Sequence, residues 1–407
     1  MKFIADFHIH SKYSRATSSD MDLENLSKWA KLKGIQLLGT GDFTHPLWFS
    51  ELRDKLREYN YGIYEFNNIN FILTTEISNI YQQDGRIRRI HLLIFSPSLE
   101  ICYKINRLLE RFGNLSSDGR PTFGLNIKDL LPLLWEISEE IYVIPAHIWT
   151  PWFSLFGSQS GFDSLEEAFG EYSDRIFSGE TGLSSDPPMN WRLSKLDRIC
   201  LISNSDAHSP NKIGREANVF NCSMNYREIF SVIKNQDKNK FLFTIEFFPE
   251  EGKYHFDGHR NCNVVLSPKE SIKLNNICPS CGKPLTIGVA HRVEELADRE
   301  EGFIPQNKIP YKNLVPLEEI IAQALKKEVS SSIVQQEYLK IVNSLDSELN
   351  ILIDLPLDEI QKVAGAKITE GIRYMREGKI KVEPGYDGVY GKINVFPEEE
   401  KGQLSLF

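Results

Sequence analysis

Residues able to bind metal recur where apolar runs end: His8 and His10, Asp42, Glu76, His91, His147, Glu180, then Asp206 and His208. FIADFHIH supplies the first pair and ICLISNSDAH the last, with LLGTGDF, FILTTE, IHLLIF and YVIPAH between them. In a strand, residues i and i+2 share a face, so His8/His10 and Asp206/His208 each offer two donors to one site. Donors repeated where strands run out describe a barrel whose chemistry sits at the C-terminal end of its strands. One histidine after a strand is ordinarily structural; this many together are not. Imidazole mixed with carboxylate suits Zn²⁺, Mn²⁺ or Fe²⁺, with Mg²⁺ a further option, and so large a set points to two or three divalent ions.

The chain of 407 residues is long enough for two or three domains. No apolar run reaches the length of a membrane span, so no membrane association is expected. The first residues enter a strand directly, without the basic and apolar regions of a signal peptide. Six cysteines are too few for a disulfide scaffold, and a reducing cytoplasm fits them. A net charge of −9 argues against indiscriminate nucleic-acid binding but leaves room for a local basic groove.

Residues 1–248 alternate strand-like and helix-like segments, which reads as parallel β/α. DLENLSKWAKLKG is one helix, with Leu23, Leu26, Trp29 and Ala30 at helical spacing and Gly34 as its cap. A cysteine-bearing insert occupies 249–288, a mainly helical region 289–396, and GYDGVYGKINV within it reads as a hairpin. Residues 397–407 form a tail.

HIHSKYS, TTE, PAH and NSDAH together resemble the motif set of the polymerase-and-histidinol-phosphatase (PHP) family over roughly the first 245 residues. GRP at 119–121, PAHIWTPW, GLSSD, GREAN, GKYH and HRVEELADR extend the likeness almost end to end, to the endonuclease Q family. The resemblance implies a distorted (β/α)7 barrel with a small zinc-binding insert and a helical C-terminal domain. It implies a DNA repair nuclease that cuts 5′ to deaminated bases (hypoxanthine, uracil, xanthine) and abasic sites. Many relatives of the wider family carry a histidine directly after the second-motif aspartate; here Phe43 follows Asp42, and His45 reads either as a ligand or as a surface-loop histidine.

On this reading His8, His10, Glu76 and Asp206 hold a buried ion pair, with Glu76 bridging, and His91 and His147 hold a further ion. Asp42 and His208 complete the set. Glu180 reads as a ligand or as a solvated loop carboxylate. Asp206 and Glu76 are the candidate catalytic carboxylates, Asp206 as ligand or as the group that orients water. His259-x2-Cys262 and Cys278-x2-Cys281, fifteen residues apart, match one closed structural zinc site. In the family two Cys-x2-Cys pairs usually stand there, so His259 replaces a cysteine without loss of ligation.

An enzyme that senses a damaged base must take it out of the stack. Trp149, Trp152, Phe153 and Phe156 read either as walls of a base pocket or as barrel-edge core. Arg86, Arg88, Arg89, Arg120 and Arg215 are candidate contacts to damaged double- or single-stranded DNA, with Arg292, Lys379 and Lys381 weaker ones. Gln403-Leu404-Ser405-Leu406-Phe407 matches the pentapeptide with which many bacterial proteins dock on the sliding clamp. A monomer in the cytoplasm, at the nucleoid, is expected. The rival readings are a phosphatase for a small phosphomonoester on the same barrel, and a non-catalytic clamp-tethered DNA-binding module.

Overall fold

The computed structural model describes residues 1–397. Its first strand, Lys2–Asp6, runs parallel to Leu37–Gly39, which runs parallel to Ile69–Gln83. The helix Leu23–Lys33 makes the first crossover. The Asp22 carboxylate caps its start by accepting from the Asn25 N–H, Leu23, Leu26 and Ala30 form its buried face, and left-handed Gly34 ends it.

The parallel alternation expected from the sequence then breaks. Ile69–Gln83 turns back as Arg86–Ser96, antiparallel along its whole length, and Tyr142–Pro145 is antiparallel to that strand in turn. The turn is Asp84-Gly85, both at positive φ (51° and 74°). That two-residue Asp-Gly geometry matches the twist of a hairpin and cannot feed a crossover helix.

Tyr142–Pro145 leads to Ser178–Glu180 through the Ile148 N–H, which donates to the Glu180 carbonyl at 2.9 Å. Ser178–Glu180 runs parallel to Cys200–Ile202. The circuit of seven closes without a ladder, because Lys2–Asp6 already pairs on its other side with Ala217–Asn221. One main-chain bridge, Ile9 with Ala207, where the His10 N–H donates to the Ala207 carbonyl at 3.0 Å, and two buried amides make the closure. Asn204 Oδ1 accepts the Phe7 N–H at 2.9 Å, and Asn218 takes the Ser203 N–H at 3.0 Å while donating to the Ser203 carbonyl at 2.7 Å. The barrel is distorted at this seam, and the strand ends on either side of it carry His8/His10 and Asp206/His208.

Beyond the barrel, strands Asp257–His259 and Val264–Leu266 and the helix Pro268–Lys273 make a small lobe. Buried Asp257 fastens it, accepting from the Gly288 N–H at 2.7 Å and meeting His291 Nδ1 at 2.6 Å. The C-terminal hairpin grips its other side: Asp387 accepts from the Arg260 N–H at 2.7 Å and from Thr286 Oγ1 at 2.6 Å. The hairpin pairs Lys381–Glu383 with Lys392–Asn394, so GYDGVYG is its turn and only KIN a strand.

The helices Leu317–Leu325, Ser332–Ser344, Glu348–Ile353 and Leu357–Arg376 share one continuous apolar core with the barrel. One buried ion pair crosses that boundary. Lys33 Nζ on the barrel helix meets Glu348 Oε2 at 2.6 Å, and Glu348 also accepts from Tyr338 Oη at 2.7 Å and from the Leu317 N–H at 3.1 Å. Removing one member leaves the other charged and buried. Glu348→Ala is therefore expected to cost about 3–5 kcal/mol, read as a fall in the denaturant midpoint. A shift within the scatter of exposed-residue variants would show that the pair does not fasten the two regions.

Candidate metal centre

Five strands deliver the cluster: His8 and His10 follow Lys2–Asp6, Glu76 and His91 lie within Ile69–Gln83 and Arg86–Ser96, and His147 and Asp206 follow Tyr142–Pro145 and Cys200–Ile202. Ligand atoms of His8, His10, Glu76 and Asp206 lie within 4.8 Å of one another, as do those of Glu76, His91 and His147. Glu76 straddles the two groups. Its Oε2 is 3.2 Å from His10 Nε2 and 3.5 Å from His8 Nε2. Its Oε1 is 2.7 Å from His91 Nδ1 and 3.0 Å from His147 Nε2. Asp206 Oδ1 lies 3.1 Å from His10 Nε2 and 3.7 Å from His8 Nε2.

Two residues expected as ligands stand behind the histidines instead. Glu180 is fully buried, not a solvated loop carboxylate. It receives His8 Nδ1 at 3.0 Å, the Asn204 amide at 2.8 Å and the His147 N–H at 2.8 Å. Asp42 is held in the same way by Ser11 N–H (2.6 Å), Ser11 Oγ (2.7 Å) and Ser14 Oγ (2.8 Å), and meets His10 Nδ1 at 3.0 Å. These carboxylates fix the imidazole tautomers so that each Nε2 lone pair faces the cluster. His208 lies beside the cluster, its ring 4.5 Å from that of His10, with Nδ1 turned to the Asp206 carbonyl at 2.9 Å. His45 is not on a surface loop: it is buried, and stacks on Tyr13 at 4.4 Å.

The donor set fits divalent ions. His8 Nε2, His10 Nε2 and Asp206 Oδ1 are buried and make no properly directed hydrogen bond. Atoms so stranded are costly unless something binds them. The electrostatics agree. Burial opposes charge on His8 and His10, but the surrounding carboxylates outweigh it and hold both imidazoles well above their ordinary range, so without a metal the site gathers protons that a bound cation would displace. Burial would likewise raise Glu76, yet charged His8 and Arg120 hold it well below the usual carboxylate range. His91 is pulled down to about 4, chiefly by burial, which keeps it neutral and able to donate its lone pair. The backbone is strained here as well: Asp42, His147 and Asp206 have φ of 46°, 32° and 46°. Non-glycine residues hold such angles where the surrounding structure fixes them.

Among the arginines and aromatics, the structure separates the candidates. Arg120 enters the cluster, its Nη1 3.0 Å from Glu76 Oε2. Gly119 makes that approach possible, because a Cβ there would fall 2.3 Å from Asp42 Oδ2. Arg88 does not face DNA: it is buried, paired with Glu167 at 2.6 Å and packed on Phe162. Arg215 supports the NSDAH loop, donating from Nε and Nη2 to the Ser205 carbonyl at 3.0 and 2.8 Å. Trp149 and Phe156 belong to the core, with Trp149 Nε1 donating to Asn190 at 2.7 Å, whereas Trp152 is exposed. Arg292 is committed to Asp163 and Glu295. Lys379 and Lys381 meet Glu377 and Glu383, both at 2.8 Å.

Sequence reasoning missed Ser11, Ser14 and Asn204, which orient the carboxylates. Their signal was positional: short polar residues directly beside HIH and SDAH, at the ends of buried strands. In the lobe, ligand atoms of His259, Cys262, Cys278 and Cys281 gather within 4.8 Å, with Cys281 Sγ 3.4 Å from His259 Nδ1. Three thiols and an imidazole so placed fit one tetrahedral ion. The tail residues Gln403, Leu404, Leu406 and Phe407 lie outside the described residues.

Residues 316–379 match the family described as the MJ0043 C-terminal domain. The uncharacterized protein MJ0043 of Methanocaldococcus jannaschii is 34% identical over 258 residues, covering 61% of this chain but only 32% of that longer protein. The uncharacterized protein YqxK of Bacillus subtilis is 30% identical over 96% of this chain and 99% of its own length. The crystal structure of the lesion-specific endonuclease PfuEndoQ from Pyrococcus furiosus superposes with a TM-score of 0.87, at 33% identity and full coverage of both chains. That of endonuclease Q with a 27-mer duplex substrate bearing an abasic lesion at the active site superposes at 0.85, also at 33% identity, over 98% of this chain and 99% of the other. With that identity over nearly the full length of both chains, the chain belongs to the endonuclease Q family.

Proposed function

We propose that this protein nicks DNA at deaminated bases (hypoxanthine, uracil, xanthine) and at abasic sites. The phosphodiester on the 5′ side of the lesion is hydrolysed, leaving a 3′-hydroxyl and a 5′-phosphate. The observation that carries this reading is the full-length likeness to an endonuclease solved with an abasic duplex at its active site.

In this reading two or three divalent ions sit in the barrel and one zinc in the lobe. Bound there, barrel ions neutralise the phosphate, acidify a water and stabilise the leaving oxygen. The chain's own residues do the rest. Glu180 and Asp42 hold His8 and His10 in the tautomer that presents Nε2. Asp206, partly open to solvent, orients the attacking water from its carboxylate. Arg120 offers a permanently charged guanidinium beside Glu76 for a non-bridging phosphate oxygen. The lesion is read after it leaves the stack, and extrusion is least costly where pairing is already weak. The protein acts as a monomer in the cytoplasm, at the nucleoid, and its C-terminal pentapeptide recruits it to a sliding clamp.

A rival phosphatase would need neither the lobe nor the helical region. A panel of duplexes, each with one uracil, hypoxanthine, xanthine, abasic site or no lesion, is offered beside histidinol phosphate. Nicking confined to the lesion duplexes is expected. Release of phosphate from the monoester with every duplex intact would replace this reading with the rival.

A further inference from the structure

The strands Ala217–Asn221 and Phe241–Glu246 bring two acids together at one end of their ladder. They run antiparallel, with Ala217 opposite Ile245 and Asn218 opposite Thr244. Carried one residue further, that register sets Glu216 across from Glu246. Both side chains are fully buried. Like charges directly opposite on a sheet are destabilising, and burial compounds the cost. Among the described residues, neither carboxylate has a lysine or arginine within ion-pair distance. The Arg215 guanidinium acts on Glu216 but gives Nε and Nη2 to the Ser205 carbonyl, and Lys212 is held by Glu318 at 2.6 Å.

Each acid keeps one oxygen uncommitted. Glu216 Oε1 accepts the Phe247 N–H at 3.3 Å, and Glu246 Oε2 accepts from Thr181 Oγ1 at 3.0 Å. Glu216 Oε2 and Glu246 Oε1 are buried without a hydrogen-bond partner. A third, uncharged oxygen is stranded with them. Thr244 shares a strand face with Glu246, and its buried hydroxyl lies beside that carboxylate yet makes no well-directed hydrogen bond. Buried polar atoms are seldom left so unless something binds them. The electrostatics point the same way. Burial, and then the facing Glu246, push Glu216 well above the usual carboxylate range, and Glu180 adds to the effect. Burial pushes Glu246 up to about 8; the hydroxyls of Thr244, Thr181 and Ser203 oppose that shift, while Asp186 adds to it.

We propose that Glu216, Glu246 and Thr244 bind one hard divalent cation, Mg²⁺ or Ca²⁺, at a site separate from the barrel's histidine cluster and from the lobe. The donors are all oxygen, without imidazole or thiolate, which suits a hard ion rather than the metals that prefer nitrogen and sulfur. Two carboxylates balance its double charge. The ion braces the barrel seam from behind. Thr181 follows Glu180, which holds His8, and the Glu246 carbonyl accepts the Leu314 N–H at 3.0 Å where the chain enters the helical region. The site stands whether or not the barrel cuts DNA.

The test uses the full-length protein, exchanged into buffer free of Mg²⁺ and Ca²⁺ with its tightly bound metals left in place. Calorimetry and thermal melting are run with Mg²⁺ and with Ca²⁺ in separate arms, which identifies the ion. The wild type is expected to bind one such ion more per chain than Glu246→Gln, and to gain roughly 2–4 °C in melting midpoint at saturation. Glu246→Gln and Glu216→Gln are each expected to weaken that binding by at least ~10-fold. Without added cation, each should melt at or above the wild type, because one of two facing charges is gone. Tb³⁺ gives an independent readout. Tyr311 stands beside Thr244 in the parallel register, so its excitation should sensitise Tb³⁺ emission in the wild type and in Asp206→Asn, but not in Glu246→Gln. Equal stoichiometry and equal midpoint shifts in the wild type and both glutamine variants would overturn the site. So would a wild-type midpoint that falls as pH rises, alike with and without cation, since the two carboxylates would then share a proton and hold no metal.

Discussion

Asp206→Asn is expected to lower the nicking rate by at least ~10²-fold, in line with losses when metal-site geometry is disturbed. Asp206 Oδ1 faces both His10 Nε2 and His8 Nε2, and it is a buried oxygen with no well-directed hydrogen bond. Its environment stabilises the ionised form: against the burial penalty, His8 and His10 hold its pKa below the usual carboxylate range. Asparagine keeps the shape but withdraws the negative charge that the imidazoles and any bound cation require. Metal content should therefore fall together with rate, while the melting curve stays near that of the wild type. Turnover close to wild type with full metal content would move Asp206 out of the site.

The second large effect is expected in the lobe. Cys278→Ser should lower zinc stoichiometry by about one ion and open the segment 259–288 to proteolysis. The lobe has two three-residue strands and one six-residue helix, too little structure to bury a core of its own. Its folding free energy must come largely from ligation, worth roughly 10–16 kcal/mol for structural zinc in finger peptides. Asp257 and Asp387 anchor its edges to the helix Val289–Leu296 and to the terminal hairpin, so the barrel should keep its own metal. A variant that retains all its zinc and resists protease would show that the four residues do not form a site.

The ends of buried strands were legible in the sequence because metal chemistry permits few residue types and strand geometry fixes their spacing. HIH and SDAH place two donors on one face, and in the structure His8, His10 and Asp206 converge with Glu76. The cysteine insert was legible for the same reason. Which polar residues touch metal and which support the ligands was not. Asp42 and Glu180 have the same chemistry as Asp206 and Glu76, and only three-dimensional placement shows that serine, asparagine and backbone donors hold them behind the histidines. Strand direction was misjudged although its signal was present: the Asp84-Gly85 pair between alternating segments marks a hairpin. Arginines were least legible, because Arg88 and Arg89 are neighbours in sequence and pleat parity alone sends one to Glu167 and the other to Trp152.

The central claim is that the barrel's metal centre cuts DNA beside a lesion. The most direct test is a duplex with one uracil, labelled at the 5′ end of that strand and incubated with the full-length protein. Chelated protein and chelated protein resupplied with Mn²⁺, Mg²⁺ or Zn²⁺ are run beside it. A single product is predicted, ending in a 3′-hydroxyl immediately 5′ to the uracil, lost on chelation and regained with at least one ion. Cleavage 3′ to the uracil, release of free base, or a nick indifferent to chelation would contradict the account.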